Sequence, residues 1–325
     1  MQIELDKFIN KKILITGGTG YLGTGLCKKI SNIDCEVLVL SRHSNQKKII
    51  GSKANFKYIV GDIVRMDTWK VVLKDVDYVF HLAGMEFDRN NFNHLKNLEV
   101  NFTSVVNMLK TCEEFKYKPV IIFSSSSNVA GGVINHTVSE KDLSSPNCVW
   151  SLHKLIAEQY LDYYKRNEAI PSVSIRLPNI YGISGNDKLN TNVVLNKVIY
   201  NAITSGKINL YGNRKCMRDF LHIDDAIDAL LLAALKVQKL NGRSYFYISD
   251  GKKRTFEDIW RRVKEAAENN FSIKVDIEFN NQILDSLDKR SFCVSPSNFH
   301  QQTGWKSIVT LDDGIKRTIS KVLKI

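Results

Sequence analysis

The residue types that could do chemistry stand at the ends of apolar runs. Gly17-Gly18-Thr19-Gly20-Tyr21-Leu22-Gly23 follows Lys12-Ile13-Leu14-Ile15-Thr16 and opens a helix-like spacing of Leu22, Leu26 and Ile30. Without a Cβ, Gly17, Gly20 and Gly23 permit a tight strand-to-helix turn and let a pyrophosphate approach the main chain at the helix N-terminus. The spacing is G-x-x-G-x-x-G rather than G-x-G-x-x-G, and such turns also join strands to helices for steric reasons alone. Its position straight after an N-terminal buried strand is what points to a dinucleotide. Where Cys35-Glu36-Val37-Leu38-Val39-Leu40 ends, an acidic residue would hydrogen-bond the ribose hydroxyls of NAD, but Ser41-Arg42-His43 stands there instead. A hydroxyl followed by a guanidinium suits a 2′-phosphate, which favours NADP. NAD stays open, because it tolerates a surface Arg42 over the adenine. Farther on, Pro119-Val120-Ile121-Ile122-Phe123 runs into Ser124-Ser125-Ser126-Ser127-Asn128. Four hydroxyls at a strand end could meet a polar, oxygen-rich substrate, although serine-rich loops are also ordinary loops.

These residues need a scaffold that gathers strand ends on one side. Phe56-Lys57-Tyr58-Ile59-Val60 reads as a third strand ending in Gly61-Asp62-Ile63, and Asp77-Tyr78-Val79-Phe80-His81 as a fourth, with Leu82-Ala83-Gly84 as its exit loop. His81 reads as a packed strand-end residue rather than a catalyst. A helical stretch spans about 95–115. Strands alternating with helices at this interval predict an α/β fold, a Rossmann-type doubly wound parallel sheet with ligands at its carboxyl ends. Beyond Asn179 the alternation becomes irregular, returning to the sheet near 224–235 and 245–249. The expected division is a dinucleotide-binding domain over 1–178, joined by 222–249, and a smaller C-terminal α/β substrate domain from 179–221 and 250–325.

Composition narrows the function classes. The chain has 325 residues, 43% hydrophobic and 25% charged, ordinary for a globular protein with a large core. No apolar run approaches a membrane span, and the acidic residues in Met1-Gln2-Ile3-Glu4-Leu5-Asp6-Lys7 are unlike a signal peptide, so a cytoplasmic protein is expected. The six cysteines include no C-x-x-C pair and the seven histidines no ligand spacing, which argues for reduced thiols and no metal. A net charge of +12 invites nucleic acid, yet the lysines are dispersed without a basic stripe or interleaved aromatics. A basic surface attracting a small polyanion such as a nucleotide is the more economical reading.

With these residues in place, the chain resembles, almost end to end, an extended short-chain dehydrogenase/reductase of the NAD(P)-dependent nucleotide-sugar epimerase/dehydratase family. Asp62-Ile63 matches the family's adenine-contacting pair, His81-Leu82-Ala83-Gly84 its H-L-A-A loop, and Asn101 the asparagine of its long helix. Arg176-Leu177-Pro178-Asn179-Ile180-Tyr181-Gly182 matches R-x-x-N-x-Y-G, and Arg218-Asp219-Phe220-Leu221-His222-Ile223-Asp224-Asp225 matches R-D-F-x-H-V-D-D. Thr303-Gly304-Trp305 and Asp313-Gly314 resemble the closing L-G-W and E-G-I. The resemblance implies that Gly17, Gly20, Tyr21, Leu22, Gly23, Ser41, Arg42, Asp62, Ile63, Leu82, Ala83, Gly84, Asn101 and Lys154 contact the cofactor. It assigns the nucleotide sugar to Ser126, Asn128, Asn179, Arg218 and Arg290, with a guanidinium suited to holding two diphosphate oxygens. It also implies a homodimer through helices near 95–115 and 150–166.

One catalytic residue is missing. The family moves a hydride with a Y-x-x-x-K pair and a serine; the lysine lowers the tyrosine pKa so that a phenolate takes the sugar hydroxyl's proton. Lys154 is present and Ser126 aligns with the serine, but Trp150 stands where the tyrosine would be. Indole N–H is a donor only and does not titrate near neutrality. Tyr211 and Lys215 repeat the spacing on the wrong element. Three readings follow: another carrier such as Ser126, water or Cys148, whose place before a helix favours a thiolate; a stacking Trp150 in a binding protein with little turnover; or a packing Trp150 beside a relocated site. Ser127-Asn128 replaces the acid/base pair of 4,6-dehydratases, so dehydration is disfavoured. The expected activity is epimerase or 4-keto reductase, and the alternative is a silenced nucleotide-sugar or dinucleotide-binding protein.

Overall fold

The computed structural model describes residues 3–43, 51–85, 93–211, 213–240, 244–280 and 291–324. Seven strands form one parallel sheet: β1 (Lys12–Thr16), β2 (Glu36–Ser41), β3 (Asn55–Val60), β4 (Tyr78–His81), β5 (Val120–Ser126), β6 (Ser172–Leu177) and β7 (Tyr245–Tyr247). Their spatial order is β7-β6-β5-β4-β1-β2-β3, the doubly wound arrangement that the alternation predicts. In β1, Ile13 and Ile15 face one apolar layer and Leu14 the other, because successive strand side chains point to opposite faces. Both faces must therefore be covered by helices.

On one face lies α1 (Tyr21–Ile30), with Leu26 and Ile30 fully buried on its inner side. The other face carries α2 (Met66–Val72), α3 (Ser104–Phe115) and α4 (Val149–Asn167), which contribute Trp69, Met108, Leu109, Ala157 and Leu161 to the second layer. The long helix expected near 95–115 is interrupted: a short helix, His94–Leu98, passes through a π-type turn at Glu99–Thr103 before α3. That wider turn buries Asn101, and such single π turns often occur at functional sites.

After β6 the chain leaves the sheet through a short strand, Asn179–Tyr181, and α5 (Val194–Ser205). It returns along Phe220–His222, which pairs with Asn179–Tyr181, and α6 (Ile223–Lys236), which packs beside α1. A separate apolar core forms around α5, α7 (Phe256–Phe271) and α8 (Leu311–Leu323), with Leu195, Ile199, Trp260, Val263, Ile315 and Ile319 inside it. A capping box starts α7, with Thr255 and Asp258 each bonding the other's backbone N–H. Among the described residues, no helix is long and apolar enough to cross a membrane, and no group of three His, Cys, Asp or Glu could hold a metal ion.

Candidate active site

At the carboxyl ends of β1, β2 and β4 lies a cleft of about 330 Å³. Its lining includes Gly17, Gly20, Tyr21, Leu22, Gly23, Ser41, Arg42, Asp62, Ile63, Leu82, Ala83 and Gly84, twelve residues singled out in the sequence. Thr19, His43 and Val100 also line it. Gly17 sits at φ +66°, and a Cβ there would come within 2.8 Å of the Ala83 backbone. A Cβ on Gly23 would lie 2.2 Å from the Gly17 carbonyl oxygen, so the first helical turn can close on the loop only without one. Gly23→Ala is therefore expected to cost about 1–3 kcal/mol, the usual range for overpacking. An unchanged urea midpoint for that variant would show that the turn can relax around a methyl group.

Side chains around the turn are not all available to a ligand. The Tyr21 hydroxyl donates to the Gly182 carbonyl at 2.7 Å, so its phenol ties α1 to the segment after β6. Ser41 Oγ donates to the His43 carbonyl at 2.8 Å, and Asp62 Oδ1 accepts from the Val64 N–H at 3.1 Å. Arg42 is exposed at the cleft's rim.

Behind Gly84 stands the second group. Lys154 is 5% exposed and donates from Nζ to the Ser124 carbonyl at 3.1 Å, with its ammonium 4.7 Å from the centre of the Phe123 ring. A Cβ on Gly84 would meet Asn101 Oδ1 at 3.0 Å and Lys154 Nζ at 3.2 Å, so this glycine allows both side chains to close on the β4 exit. Burial pushes the Lys154 pKa down to about 8, with Glu158 one turn later pulling the other way. His81 is fully buried beneath the loop, with Nδ1 2.9 Å from Thr16 Oγ1 and its ring stacked on Phe123. Burial first, and then the Lys154 charge, push its pKa down to about 3, leaving a neutral packed imidazole.

Trp150 lies in the first turn of α4, four residues before Lys154. Its indole Nε1 donates to the Met85 carbonyl at 2.8 Å, and Asn101 Nδ2 donates to the same oxygen at 2.9 Å. Met85 returns its own N–H to Asn101 Oδ1 at 3.2 Å. Sequence reasoning missed Met85, since a backbone carbonyl has no residue-type signature.

The remaining positions form a less compact set. Ser126 Oγ accepts from the Asn128 N–H at 3.2 Å, leaving its own O–H free to be directed elsewhere. Cys148 Sγ lies 3.2 Å from Ser151 Oγ at the start of α4. Asn179 is exposed and donates from Nδ2 to the Asp219 carbonyl at 2.9 Å, which brings the two later motifs together. Arg218 is 9% exposed, with its guanidinium 5.0 Å from the Phe256 ring centre and Nη1 donating to the Met217 carbonyl at 2.9 Å. Arg290 lies outside the described residues. None of the six cysteines is in a disulfide.

The family model described as the NAD dependent epimerase/dehydratase family matches residues 13–246. The chain belongs to that family. Among curated members, it is 25% identical over 318 residues to a putative UDP-glucose 4-epimerase of Methanocaldococcus jannaschii, covering 95% of this chain and 97% of that protein. It is 28% identical over 246 residues to a dTDP-D-glucose 4,6-dehydratase of Dictyostelium discoideum, but that match spans only 55% of the Dictyostelium protein and 69% of this chain. The fold of this epimerase/dehydratase family member is shared with a UDP-glucose 4-epimerase of Thermotoga maritima solved with UDP-glucose. That comparison has a TM-score of 0.83 at 21% identity and covers 96% of this chain and 99% of the other. A UDP-N-acetylglucosamine 4-epimerase of Methanobrevibacter ruminantium gives 0.84 at 21% identity, covering 97% and 99%.

Proposed function

We propose that this chain is an NAD(P)-dependent epimerase or 4-keto reductase acting on a nucleotide-linked hexose, working without the usual catalytic phenol. The reading rests above all on the cleft that gathers the glycine turn, Asp62-Ile63 and Ala83-Gly84, with Lys154 directly behind Gly84. A dinucleotide fits these residues, because Gly17 and Gly23 let the backbone close tightly enough to bring the N-terminus of α1 to the cleft, where a pyrophosphate would meet main-chain N–H groups. When bound, the nicotinamide supplies the hydride acceptor or donor. Exposed Arg42 at the rim favours a 2′-phosphate and hence NADP.

The chain's own residues then take stated parts. Lys154 Nζ, held by the Ser124 carbonyl, offers its remaining protons to the cofactor's ribose. Ser126 directs its O–H at the sugar oxygen that gains or loses a proton. Asn179 and Arg218 take the nucleotide diphosphate from the lobe around α5 and α7, which we assign to the substrate. The full-length 4-epimerase relative supports this substrate class, and Ser127-Asn128 argues against dehydration. A homodimer through the helices near 95–115 and 150–166 is supported by Leu95, Phe115, Leu152, Tyr160 and Tyr163, all exposed on them.

A second reading is favoured by the Trp150–Met85 hydrogen bond: with its only donor engaged, Trp150 marks a silenced site that binds without turnover. The test is to identify any nucleotide that co-purifies, then follow nicotinamide absorbance while nucleotide-linked 4-keto sugars are added with NADPH or NADH. Stoichiometric consumption is the outcome for a reductase. A retained dinucleotide, no net consumption and a changed sugar by NMR is the outcome for an epimerase. Retention of dinucleotide with no sugar conversion selects the silenced site, and neither retention nor conversion sinks both readings.

A further inference from the structure

We propose that Trp150 is a positioning residue: with Asn101 it clamps the Met85 peptide, and so holds Gly84 against Lys154 in the conformation that receives the dinucleotide. This rests on the reading of the cleft as a dinucleotide site. Three elements converge on one peptide. The indole N–H comes from the first turn of α4, the Asn101 amide from the π-type turn, and the Met85 peptide from the exit of β4. Asn101 holds the main chain on both sides of the Met85 Cα, accepting the Met85 N–H at Oδ1 (3.2 Å) and donating from Nδ2 to the Met85 carbonyl (2.9 Å), which fixes the direction of both polar groups. Asn97 Nδ2, at 3.4 Å from the same oxygen, adds a longer contact from the helix before the turn.

The clamp matters because of what adjoins it. Gly84 lines the cleft, precedes Met85, and leaves only the room of a missing Cβ between itself, Asn101 Oδ1 and Lys154 Nζ. On the other side, Ala83 N–H donates to Thr16 Oγ1 at 3.2 Å, and the Ala83 backbone touches Gly17 of the glycine turn. Release of the Met85 main chain at its carbonyl and its N–H would therefore leave Gly84 free to shift relative to both Lys154 and the phosphate-binding turn. A tyrosine at 150 would serve as a proton carrier only if its hydroxyl were free for substrate. This chain commits the side chain's one polar atom to its own backbone. Trp150 thus acts through Met85, and touches neither reacting atom in doing so.

The experiment uses the full chain and Trp150→Phe, which keeps an aromatic ring and removes the donor together with part of the indole's volume. Hydrogen exchange of the ligand-free proteins reads the clamp, and calorimetry with NAD+ and NADP+ reads its consequence. Exchange at Gly84 and Met85 should be several-fold faster in the variant, and dinucleotide affinity roughly three- to tenfold weaker, the range for one lost hydrogen bond. Unchanged exchange at these amides overturns the proposal, as does faster exchange with unchanged affinity. If the unsubstituted protein binds neither dinucleotide, the cofactor reading itself fails, while the exchange data still decide whether the clamp exists. A variant with a lowered unfolding midpoint is replaced by Trp150→Leu and judged by the same two readings.

Discussion

Trp150→Tyr is expected to raise the rate of sugar oxidation or reduction by roughly a hundredfold to ten-thousandfold, the typical contribution of a positioned general acid/base. Positions 150 and 154 lie one turn apart on α4, so a phenol at 150 would share a face with the Lys154 ammonium. A positive charge beside a phenol lowers its pKa and makes the phenolate accessible nearer neutrality. The measurement is single-turnover hydride transfer, followed by nicotinamide absorbance with a nucleotide-linked hexose. The same variant loses the indole N–H that holds Met85, so dinucleotide KM should rise while kcat rises. This split separates restored chemistry from a general tightening of the site. Loss of activity in a folded, cofactor-binding variant would mean that Trp150 itself serves the reaction in a way that a phenol cannot.

The sheet was legible because its signals are local and periodic. Runs such as Lys12–Thr16 and Glu36–Ser41 are buried on both faces, and the glycines at 17 and 23 stand where a Cβ would collide with backbone. The cleft lining follows from these, since parallel strands present their carboxyl ends on one side. The partners of individual side chains were less legible. Nothing in the spacing of Asn101 or Trp150 reveals that both reach the carbonyl of Met85 from different elements. The π-type turn that buries Asn101 is invisible to a 3.6-residue periodicity. The motif around Arg218 implies a phosphate ligand, but the packing of its guanidinium on Phe256 depends on a helix nearly 40 residues later. Arg176 looked like one more motif residue, and its role emerges only from four segments brought together in space.

Arg176→Met is expected to destabilise the protein by about 3–5 kcal/mol, because it breaks a buried ion pair and leaves one charge behind. Arg176 is fully buried on β6 and donates from Nε and Nη2 to Glu158 of α4, with contacts of 2.6 to 3.1 Å. Nη1 donates to the Tyr247 hydroxyl at 2.7 Å and Nη2 to Ser144 Oγ at 2.9 Å, while the guanidinium lies 3.5 Å from the Tyr245 ring centre. Burial works against the guanidinium charge, but the Glu158 carboxylate outweighs it and raises the Arg176 pKa. A methionine fills similar volume and satisfies none of these partners, so Glu158 loses its direct ion-pair partner and stays charged with only Lys154 nearby, or takes up a proton. The double variant Arg176→Met/Glu158→Met removes both charges and should recover most of the loss, since a buried pair replaced by apolar residues is often near neutral. Urea unfolding of both variants checks the argument, and equal destabilisation of single and double variants would refute the ion-pair account. The single variant also reaches the active site: Glu158 lies one turn after Lys154 and favours its ammonium form. An ionised Glu158 freed from Arg176 would pull the Lys154 pKa upward from about 8. Glu158 thus bears on the Lys154 charge, against the larger effect of burial, as well as joining β6, α4 and β7 through Arg176.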